Sequence, residues 1–348
     1  MLKKRLCKIA VIFCVIGLSI MLVPGFAGAK AKVIKLTISD HNPPFTPPGK
    51  AMITWVEKVN EMSNGRLEVT LHGGGALLSG TEAYRGVQSG VVDGAHYVVD
   101  TREDFILNLI TGLPFMGWPD RWVAEEMYQQ LLDKSEAMQA EWQGVTIISY
   151  LMMPGTLLHM AKKTVITPGD LKGQKIMGAE NNLNAVMEAA GATPVHMDIG
   201  DMAPSLNTGL INGVMNHINV VKVFGGLEYV PYHTYFGEGI TFTPLYVIMN
   251  TKKLNSLPPD LKQIIFDAGH IWHDTFKQME VGFQAACMEE AKNLNHTFTY
   301  LTPEQIAVWY NLVKEPVHNK WIKDAEAKGR PGKEVYNMAL EMIKNYKK

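Results

Sequence analysis

One stretch of about fifty residues, from Thr167 to Asn219, constrains the fold more than any other part of this chain. It alternates helix-forming and strand-forming segments. Its glycines stand where helices should end or the chain should turn: Gly173, Gly191, Gly209 and Gly213. An earlier segment, 88–94, repeats the pattern of 207–213, in which a polar helix end is followed by glycine, two aliphatic residues, an Asx-Gly turn and a strand. This repeated motif predicts two similar α/β lobes, with a ligand in the cleft between them at the carboxyl ends of the strands.

Residues 1–29 have the three features of an export signal. The segment begins with four basic residues, continues with an apolar run from Ile9 to Val23, and ends in the small-residue sequence Ala27-Gly-Ala29. We therefore expect cleavage after Ala29 and a periplasmic mature protein that starts at Lys30. An uncleaved membrane anchor is the alternative, and the short apolar run disfavours it.

The composition of the mature chain excludes some classes of protein. The signal holds four basic and no acidic residues, which leaves 29 basic against 34 acidic residues. A chain with more acidic than basic residues lacks the positive charge that binding to nucleic acid requires. About 320 residues suit two lobes better than one core. Cys287 is the only remaining cysteine, so no internal disulfide can form, and we expect its thiol to pack in the core.

The first half of the mature chain predicts a strand over Val33–Ile38, a helix whose apolar face carries Trp55, and a second strand around Val69. A further strand is predicted over Val91–Val99. Its end should face the cleft, and it carries Tyr97, Val98, Asp100, Thr101 and Arg102.

The second half predicts the connections between lobes. Strands over Val145–Tyr150 and Thr156–Met160 flank Met153-Pro-Gly155, where we place the first crossing, and a strand over Ile240–Thr243 should make the return. Pro259 then begins a helical pattern of about 35 residues, which at 1.5 Å per residue spans roughly 50 Å and could lie along both lobes. The predicted division is 30–153 with 242–281 for lobe 1, and 154–241 with 282–348 for lobe 2.

Four motifs, in this order and spacing, resemble those of a known family. They are LKGQKI at Leu171–Ile176, similar to LKGLKIR; GATPV at Gly191–Val195, similar to GANPVPM; LNTGLING at Leu206–Gly213, similar to LQTGVVDG; and Asn216, in the place of the Asn of DGQENP. The mature chain, nearly end to end, thus resembles the periplasmic solute-binding subunits of tripartite ATP-independent periplasmic (TRAP) transporters, of the DctP type.

This resemblance implies an α/β, two-lobed periplasmic-binding-protein fold with a long helix that spans both lobes. It implies closure on a small organic solute, which is passed to the membrane permease subunits of an ion-driven transporter. No chemistry is involved, so the resemblance predicts neither an enzyme nor a cofactor, and we expect a monomer.

The chain departs from the family where the solute should bind. The family holds carboxylates with an arginine directly after the KI of its first motif, and Met177 stands there in this sequence. A second family arginine aligns with Leu157, and the family's acidic residues become Asn212 and Met215. Burying a carboxylate without a cationic partner costs several kcal/mol. The departures therefore favour an uncharged or largely apolar solute over a dicarboxylate.

By resemblance, the pocket would be lined by the apolar residues Leu157, Met177 and Ile199. Its polar contacts would be Ser39, Thr81, Tyr97 and Asn216. Arg102 leaves an alternative open, because it could meet an anion from the first lobe. The competing interpretation of Arg102 is a solvated surface arginine.

Other chemistry finds little support in the sequence. His270 and His273, with Asp274, have helical spacing, but a metal site would need a further ligand, and a solvated helix face explains them better. No Gly-x-Ser-x-Gly motif occurs, and Cys287 lies in an apolar helical context unlike that of an activated thiol. A ligand-sensing periplasmic module that signals to a receptor shares the predicted fold and stays open. An exported enzyme is the third alternative.

Overall fold

The computed structural model describes residues 32–99, 104–178 and 181–347. Within these ranges the chain forms eleven strands: β1 (Ile34–Ser39), β2 (Leu67–His72), β3 (Gly94–Val98), β4 (Val145–Met152), β5 (Leu157–Met160), β6 (Lys175–Gly178), β7 (Thr193–Val195), β8 (Gly213–Asn216), β9 (Tyr232–Tyr235), β10 (Pro244–Asn250) and β11 (Thr297–Tyr300). The predicted signal, residues 1–29, lies outside the described residues.

The same ranges contain twelve α-helices: α1 (Pro47–Met62), α2 (Ala83–Ser89), α3 (Arg121–Lys134), α4 (Glu136–Ala140), α5 (Asn181–Ala189), α6 (Met202–Asn207), α7 (Ile218–Val223), α8 (Thr251–Asn255), α9 (Pro259–Asn293), α10 (Pro303–Val313), α11 (Lys320–Ala327) and α12 (Gly332–Asn345). None of the described helices is both long and apolar enough to cross a membrane.

The strands form two sheets, which confirms the predicted two-lobed α/β fold. The first sheet has the order β2-β1-β3-β10-β4, with β1 parallel to β2 and β3 and with β10 antiparallel to β3 and β4. The second has the order β11-β9-β5-β8-β6-β7, in which β6 is parallel to β7 and β8, and β5 is antiparallel to β8 and β9. From Ile34 onward the chain is one compact unit, and the lobe boundaries proposed above stay a prediction.

The repeated motif has the same geometry in both lobes. Gly90 ends α2 with φ of +81°, and Gly209 follows α6 with φ of +74°, a left-handed conformation that glycine adopts without steric cost. In the first lobe, Oδ2 of Asp93 accepts a hydrogen bond from the N–H of Thr37 at 2.8 Å. In the second, Oδ1 of Asn212 accepts one from the N–H of Lys175 at 2.9 Å. Each Asx side chain therefore ties its turn to the neighbouring parallel strand.

The predicted long helix is confirmed as the 35-residue α9. Its N-terminal half contributes apolar side chains to the cluster beneath the first sheet: Leu261, Ile265, Ala268, Trp272 and Phe276. Near its C-terminal end, Cys287 and Ala291 belong to the cluster beneath the second sheet. One rigid element therefore builds both cores, and the thiol of Cys287 is buried as expected.

The strand predicted over Ile240–Thr243 is wrong. These residues run beside Met153–Thr156, with the N–H of Ile240 donating to Thr156 O at 2.8 Å and the N–H of Met153 donating to Thr243 O at 3.0 Å. They belong to neither sheet, because the two segments bond to each other where the chain passes between sheets. Strand β9, which precedes this segment, was not predicted.

Candidate functional site

Three of the candidate residues meet at the carboxyl edge of β6 and β8. Residue 177 pairs with residue 214 across these parallel strands, and Leu157, at the start of antiparallel β5, pairs with Asn216 at the end of β8. Leu157, Met177 and Asn216 are 2%, 5% and 8% exposed. Two apolar side chains and one amide thus form a buried row at this edge.

A cavity of about 390 Å³ opens at this edge, within the range of small-molecule sites. Its lining residues are Met177, Gly178, His196, Met197, Ile199, Asn216 and Val220. Three predicted site residues, Met177, Ile199 and Asn216, are therefore brought together, while Leu157 lies beside Asn216 and outside the lining. Three lining residues were not predicted: His196, Met197 and Val220. The first two stand close to Ile199 in the chain.

Asn216 is held from two sides. Its Oδ1 accepts a hydrogen bond from the N–H of His217 at 2.8 Å, and its main-chain carbonyl accepts one from Nε2 of His159 at 3.1 Å. His159 was not predicted, yet it stands two residues after Leu157 on β5, on the same face of the strand. This spacing is the one signal that could have identified it.

His217 carries no charge at neutral pH. Burial, with the positive fields of Arg121 and His159, lowers the pKa of His217 to about 4. Its Nδ1 is buried and has no hydrogen-bond partner among the described residues. The ring that follows Asn216 in the chain is therefore buried and uncharged.

The first-lobe candidates are not gathered at one place. Ser39, at the end of β1, is buried, and its Oγ has no partner in the described part of the chain. Thr81 is exposed, with its Oγ1 3.0 Å from Oγ of Ser79. Val98 is half-buried in the middle of the first sheet.

Of the remaining first-lobe candidates, Tyr97 lies within the described residues and Arg102 does not. Tyr97 is fully buried, and its ring contacts those of Tyr84, Phe105 and Trp142, so it packs in the first-lobe core. Asp100, Thr101 and Arg102 lie outside the described residues.

The polar groups at the first strand ends bond to one another. Oδ1 of Asp40 accepts hydrogen bonds from Nδ1 of His96 at 2.9 Å and from Nδ2 of Asn42 at 2.8 Å. Burial alone would raise the pKa of Asp40, but the charge and hydrogen bonds of His96 and Asn42 outweigh it and lower that pKa. No local sequence pattern indicates this pairing, because the two residues are 56 apart in the chain.

A buried network joins helices of the two lobes. Glu280 of α9 binds Arg121 of α3 through one carboxylate oxygen and Nδ2 of Asn219 of α7 through the other. Burial raises the pKa of Glu280, while Arg121 and Asn219 oppose that rise. Because Arg121 is already paired, its charge is balanced without a ligand.

The histidines on α9 do not form a metal centre. Nε2 of His273 lies 2.8 Å from Oε1 of Glu125, and its Nδ1 lies 3.1 Å from Oδ1 of Asp274. These two carboxylates raise the pKa of His273, which burial partly opposes. In the described part of the chain, no group of three or more His, Cys, Asp or Glu side chains is arranged to hold a metal ion.

Comparison with known proteins decides the family. The model of the bacterial extracellular solute-binding proteins, family 7 (DctP), matches residues 38–324. The chain belongs to the DctP family. The resemblance of its motifs to that family is thereby confirmed.

Among curated DctP relatives is the C4-dicarboxylate-binding periplasmic protein of Rhodobacter capsulatus, 23% identical over 84% of this chain and 87% of its own length. The ectoine-binding periplasmic protein TeaA of Halomonas elongata is 27% identical over 52% of both chains. For solute-binding proteins of Sulfitobacter and Chromohalobacter salexigens, the match covers 48% and 58% of the relative's length. The chain thus spans about half the length of several relatives that it matches.

Solved structures share the fold. A marine metagenome TRAP solute-binding protein specific for aromatic acid ligands, in complex with 3-hydroxybenzoate, has a TM-score of 0.79 at 23% identity, covering 91% of this chain and 100% of that one. The TRAP solute-binding protein of Rhodoferax ferrireducens, in complex with copurified benzoate, has a TM-score of 0.78 at 21% identity, covering 90% and 98%.

Proposed function

We propose that this protein is the periplasmic solute-binding subunit of a TRAP-type secondary transporter. It captures a small organic solute in a cleft between its lobes and delivers that solute to the membrane permease subunits, without chemistry. Membership of the DctP family, the likeness to TRAP solute-binding structures, and a cavity at the carboxyl edge of β6 and β8 support this function.

The solute is uncharged or largely apolar. The observation that carries this proposal is the position of Met177, buried in the cavity wall where the family resemblance places an arginine. None of the described residues that line the cavity is a lysine or an arginine. A methionine offers flexible, polarizable contact, whereas a buried carboxylate would need a cation that these residues do not supply. Asn216 supplies a polar contact that can orient the solute.

A carboxylate solute is the second candidate, and the ligands for which relatives are named or with which they crystallised favour it. The Rhodobacter capsulatus relative is named for C4-dicarboxylates, and two neighbouring structures hold benzoate and 3-hydroxybenzoate. In this case the cation would come from the first lobe, where the sequence offers Arg102.

A thermal-shift screen on the unfolded, ligand-stripped and refolded protein tests the solute class. The panel contains organic acids, alcohols, amines and aromatic compounds. A ligand at 100 times its Kd adds about 2.7 kcal/mol of stability, which such a screen detects easily. We expect uncharged or apolar compounds to stabilise the protein. Stabilisation by carboxylates alone would contradict the proposed solute class.

Closure and delivery are tested separately. Small-angle scattering with the compound found in the screen should show a smaller radius of gyration, because a solute that touches both lobes shifts the balance toward the closed state. Verified binding without compaction would contradict interlobe capture. Solute uptake by vesicles that contain the cognate permease should depend on added protein, and independence would contradict the transport role.

A further inference from the structure

Three histidines connect the solute cavity to the outside of the second lobe. Nε2 of His159 lies 3.1 Å from the carbonyl of Asn216, and Nδ1 of His159 lies 2.6 Å from Nδ1 of His233. Nε2 of His233 lies 2.9 Å from Nδ1 of His296. His159 and His233 are buried, and His296 is half-buried. We call these three residues the histidine column.

The carbonyl of Asn216 fixes every proton in the neutral column. A carbonyl only accepts hydrogen bonds, so Nε2 of His159 carries the proton and its Nδ1 is bare. Nδ1 of His233 must then be the donor, which leaves Nε2 of His233 bare and makes Nδ1 of His296 the next donor. Only one arrangement of tautomers satisfies all three hydrogen bonds.

The column has room for one extra proton. That proton can sit on Nε2 of His296 without disturbing any hydrogen bond. A second one would place N–H groups on both sides of an N···N contact and break it. The column is therefore ordered when neutral and comes apart as protons accumulate.

The surroundings keep the column neutral. Burial lowers the pKa of His159 to about 4 and that of His233 to about 2, with the other rings adding to both shifts, and burial also lowers the pKa of His296. Phe298 of β11 stacks on His233 with ring centroids 4.9 Å apart. From α9, the thiol of Cys287 shares an apolar cluster with Phe298 and stays uncharged, because burial raises its pKa to about 11.

Three charged groups lie near this region: Arg121, Lys222 and Glu290. Arg121 of α3 acts on His217, which in turn feels the field of His159. Lys222 of α7 is paired with Glu290 of α9, so these two charges largely balance. Arg121 is itself paired with Glu280, so the charges on these elements are balanced and none of them draws a proton onto the column.

We propose that His159, held in its Nε2–H form by His233 and His296, is the positioning residue for the Asn216 carbonyl, and that the protonation state of the column sets the strength of this hydrogen bond. The importance of this positioning for transport rests on the proposed function, in which Asn216 contacts the solute. The hydrogen bond between His159 and Asn216 and the tautomers of the column can be measured without any solute. A failure of this proposal and a failure of the proposed function can therefore be told apart.

Selective isotope labelling reports on the Asn216 carbonyl directly. With carbonyl-¹³C asparagine and ¹⁵N histidine, only Asn-His pairs give a signal in an HNCO spectrum, and the sequence contains two, Asn216-His217 and Asn295-His296. Replacing His296→Gln removes the second signal and so assigns the first. The ring ¹⁵N shifts of the same sample should show His159 protonated on Nε2, with His233 and His296 protonated on Nδ1. A proton on Nδ1 of His159 would overturn the proposal.

The pH profile separates positioning from simple packing. In the parent protein, the Asn216 carbonyl shift should change in a transition below pH 6.5 as the column takes up protons. In His296→Gln, the Gln amide can donate to Nε2 of His233 but cannot take up a proton. The positive charge that a protonated His296 places beside the inner rings is then absent, so we expect the transition to move to higher pH by about one unit. His270→Gln, a change at an exposed histidine of α9, is the matched control and should leave the profile unchanged.

An Asn216 profile that is the same in His296→Gln and the parent would overturn the proposal, since His296 is separated from Asn216 by two rings and acts only through the column. His159→Gln provides an independent check. Its amide can still donate to the Asn216 carbonyl, so the carbonyl should stay hydrogen-bonded at neutral pH and lose most of its response to acid. A full response in this variant would also contradict the account.

Discussion

The carboxyl ends of the strands in the two lobes carry opposite chemistry. In the first lobe, Asp40, directly after β1, and His96, in the middle of β3, form a buried, hydrogen-bonded pair. In the second lobe, Leu157, Met177 and Asn216 form a row that is apolar except for one amide. Both edges stand on the same α/β frame, with matching Asx-Gly turns at the opposite strand ends.

This difference shows where each lobe uses its polar groups. The first-lobe carboxylate is satisfied internally, because Asp40 accepts from both His96 and Asn42. In the second lobe, the buried histidines are used behind the cavity to hold Asn216, and the wall itself is left apolar. Under the proposed function, the second lobe would select the solute, while the buried polar pair of the first lobe is already satisfied within the protein.

Removing the buried network between helices of the two lobes should have the largest effect on stability. Glu280→Ala leaves the buried guanidinium of Arg121 unpaired and removes the partner of Asn219, and loss of one member of a buried ion pair typically costs about 3–5 kcal/mol. Urea denaturation followed by tryptophan fluorescence measures this loss. The double variant Arg121→Leu, Glu280→Leu should recover much of it, because no uncompensated charge remains.

An exposed ion pair is the control for this experiment. Lys320 and Asp324 form an exposed pair on α11, and Asp324→Ala should change stability little. If Glu280→Ala behaves like Asp324→Ala, the buried network does not join the lobes in the way described.

The second largest expected effect is that of acid, which should destabilise the second lobe at a higher pH than the first. The pKa values of His159 and His233 are lowered to about 4 and about 2, below the ordinary value of 6.5. The unfolded chain therefore binds protons more readily. The contribution of the neutral rings is complete above pH 6.5 and is lost as the pH falls toward 4, by up to a few kcal/mol. The lowered pKa of Asp40 affects stability only in more acidic solution, below about pH 4.

Hydrogen exchange at pH 7.5, 6 and 5, corrected for intrinsic rates, compares the sheets directly. Strands β5 and β9 should lose protection before β1 and β3. In the first lobe, His41 shifts in the same direction, so the comparison rests on the larger number of buried rings in the second. Earlier loss in β1 and β3 would contradict this order.

The glycine turns should show the smallest difference between lobes. Gly90→Ala and Gly209→Ala each force a side chain into the left-handed region, at a cost of about 1–2 kcal/mol, and an added Cβ meets no close atom at either position. Thermal denaturation should give nearly equal losses for the two variants. Gly213→Ala should cost more, because its Cβ would lie 2.5 Å from the carbonyl oxygen of His159. Clearly unequal losses at Gly90 and Gly209 would break the equivalence of the lobes.

The sequence predicted the parts of the molecule that depend on local pattern. Asx-Gly turns, the proline start of α9 and the capping box at Thr302, whose Oγ1 accepts from the N–H of Gln305 at 3.3 Å, are determined by neighbouring residues. The strand β9 was missed and one over Ile240–Thr243 was predicted in error, because both segments are short and only their partners decide which joins a sheet.

The sequence could not predict pairings between distant residues. Arg121 and Glu280 are 159 residues apart, and His159 and His233 are 74 apart, with no local signal that links them. Met177, Ile199 and Asn216 were proposed from the family resemblance, and the structure places all three in the lining of one cavity. Tyr97 stands at a strand end as well, but its ring packs in the core, since strand position alone does not set which face is covered.

Titration calorimetry of three variants, with the compound found in the thermal-shift screen, tests the central claim most directly. Met177→Arg should weaken binding by about 2 kcal/mol or more, because it places an unpaired cation against an apolar ligand face. Met177→Leu, the matched control, keeps an apolar side chain of similar volume and should change affinity far less. Arg102→Ala should bind like the parent. Loss of binding in Arg102→Ala, with Met177→Arg binding as well as the parent, would contradict an arginine-independent pocket.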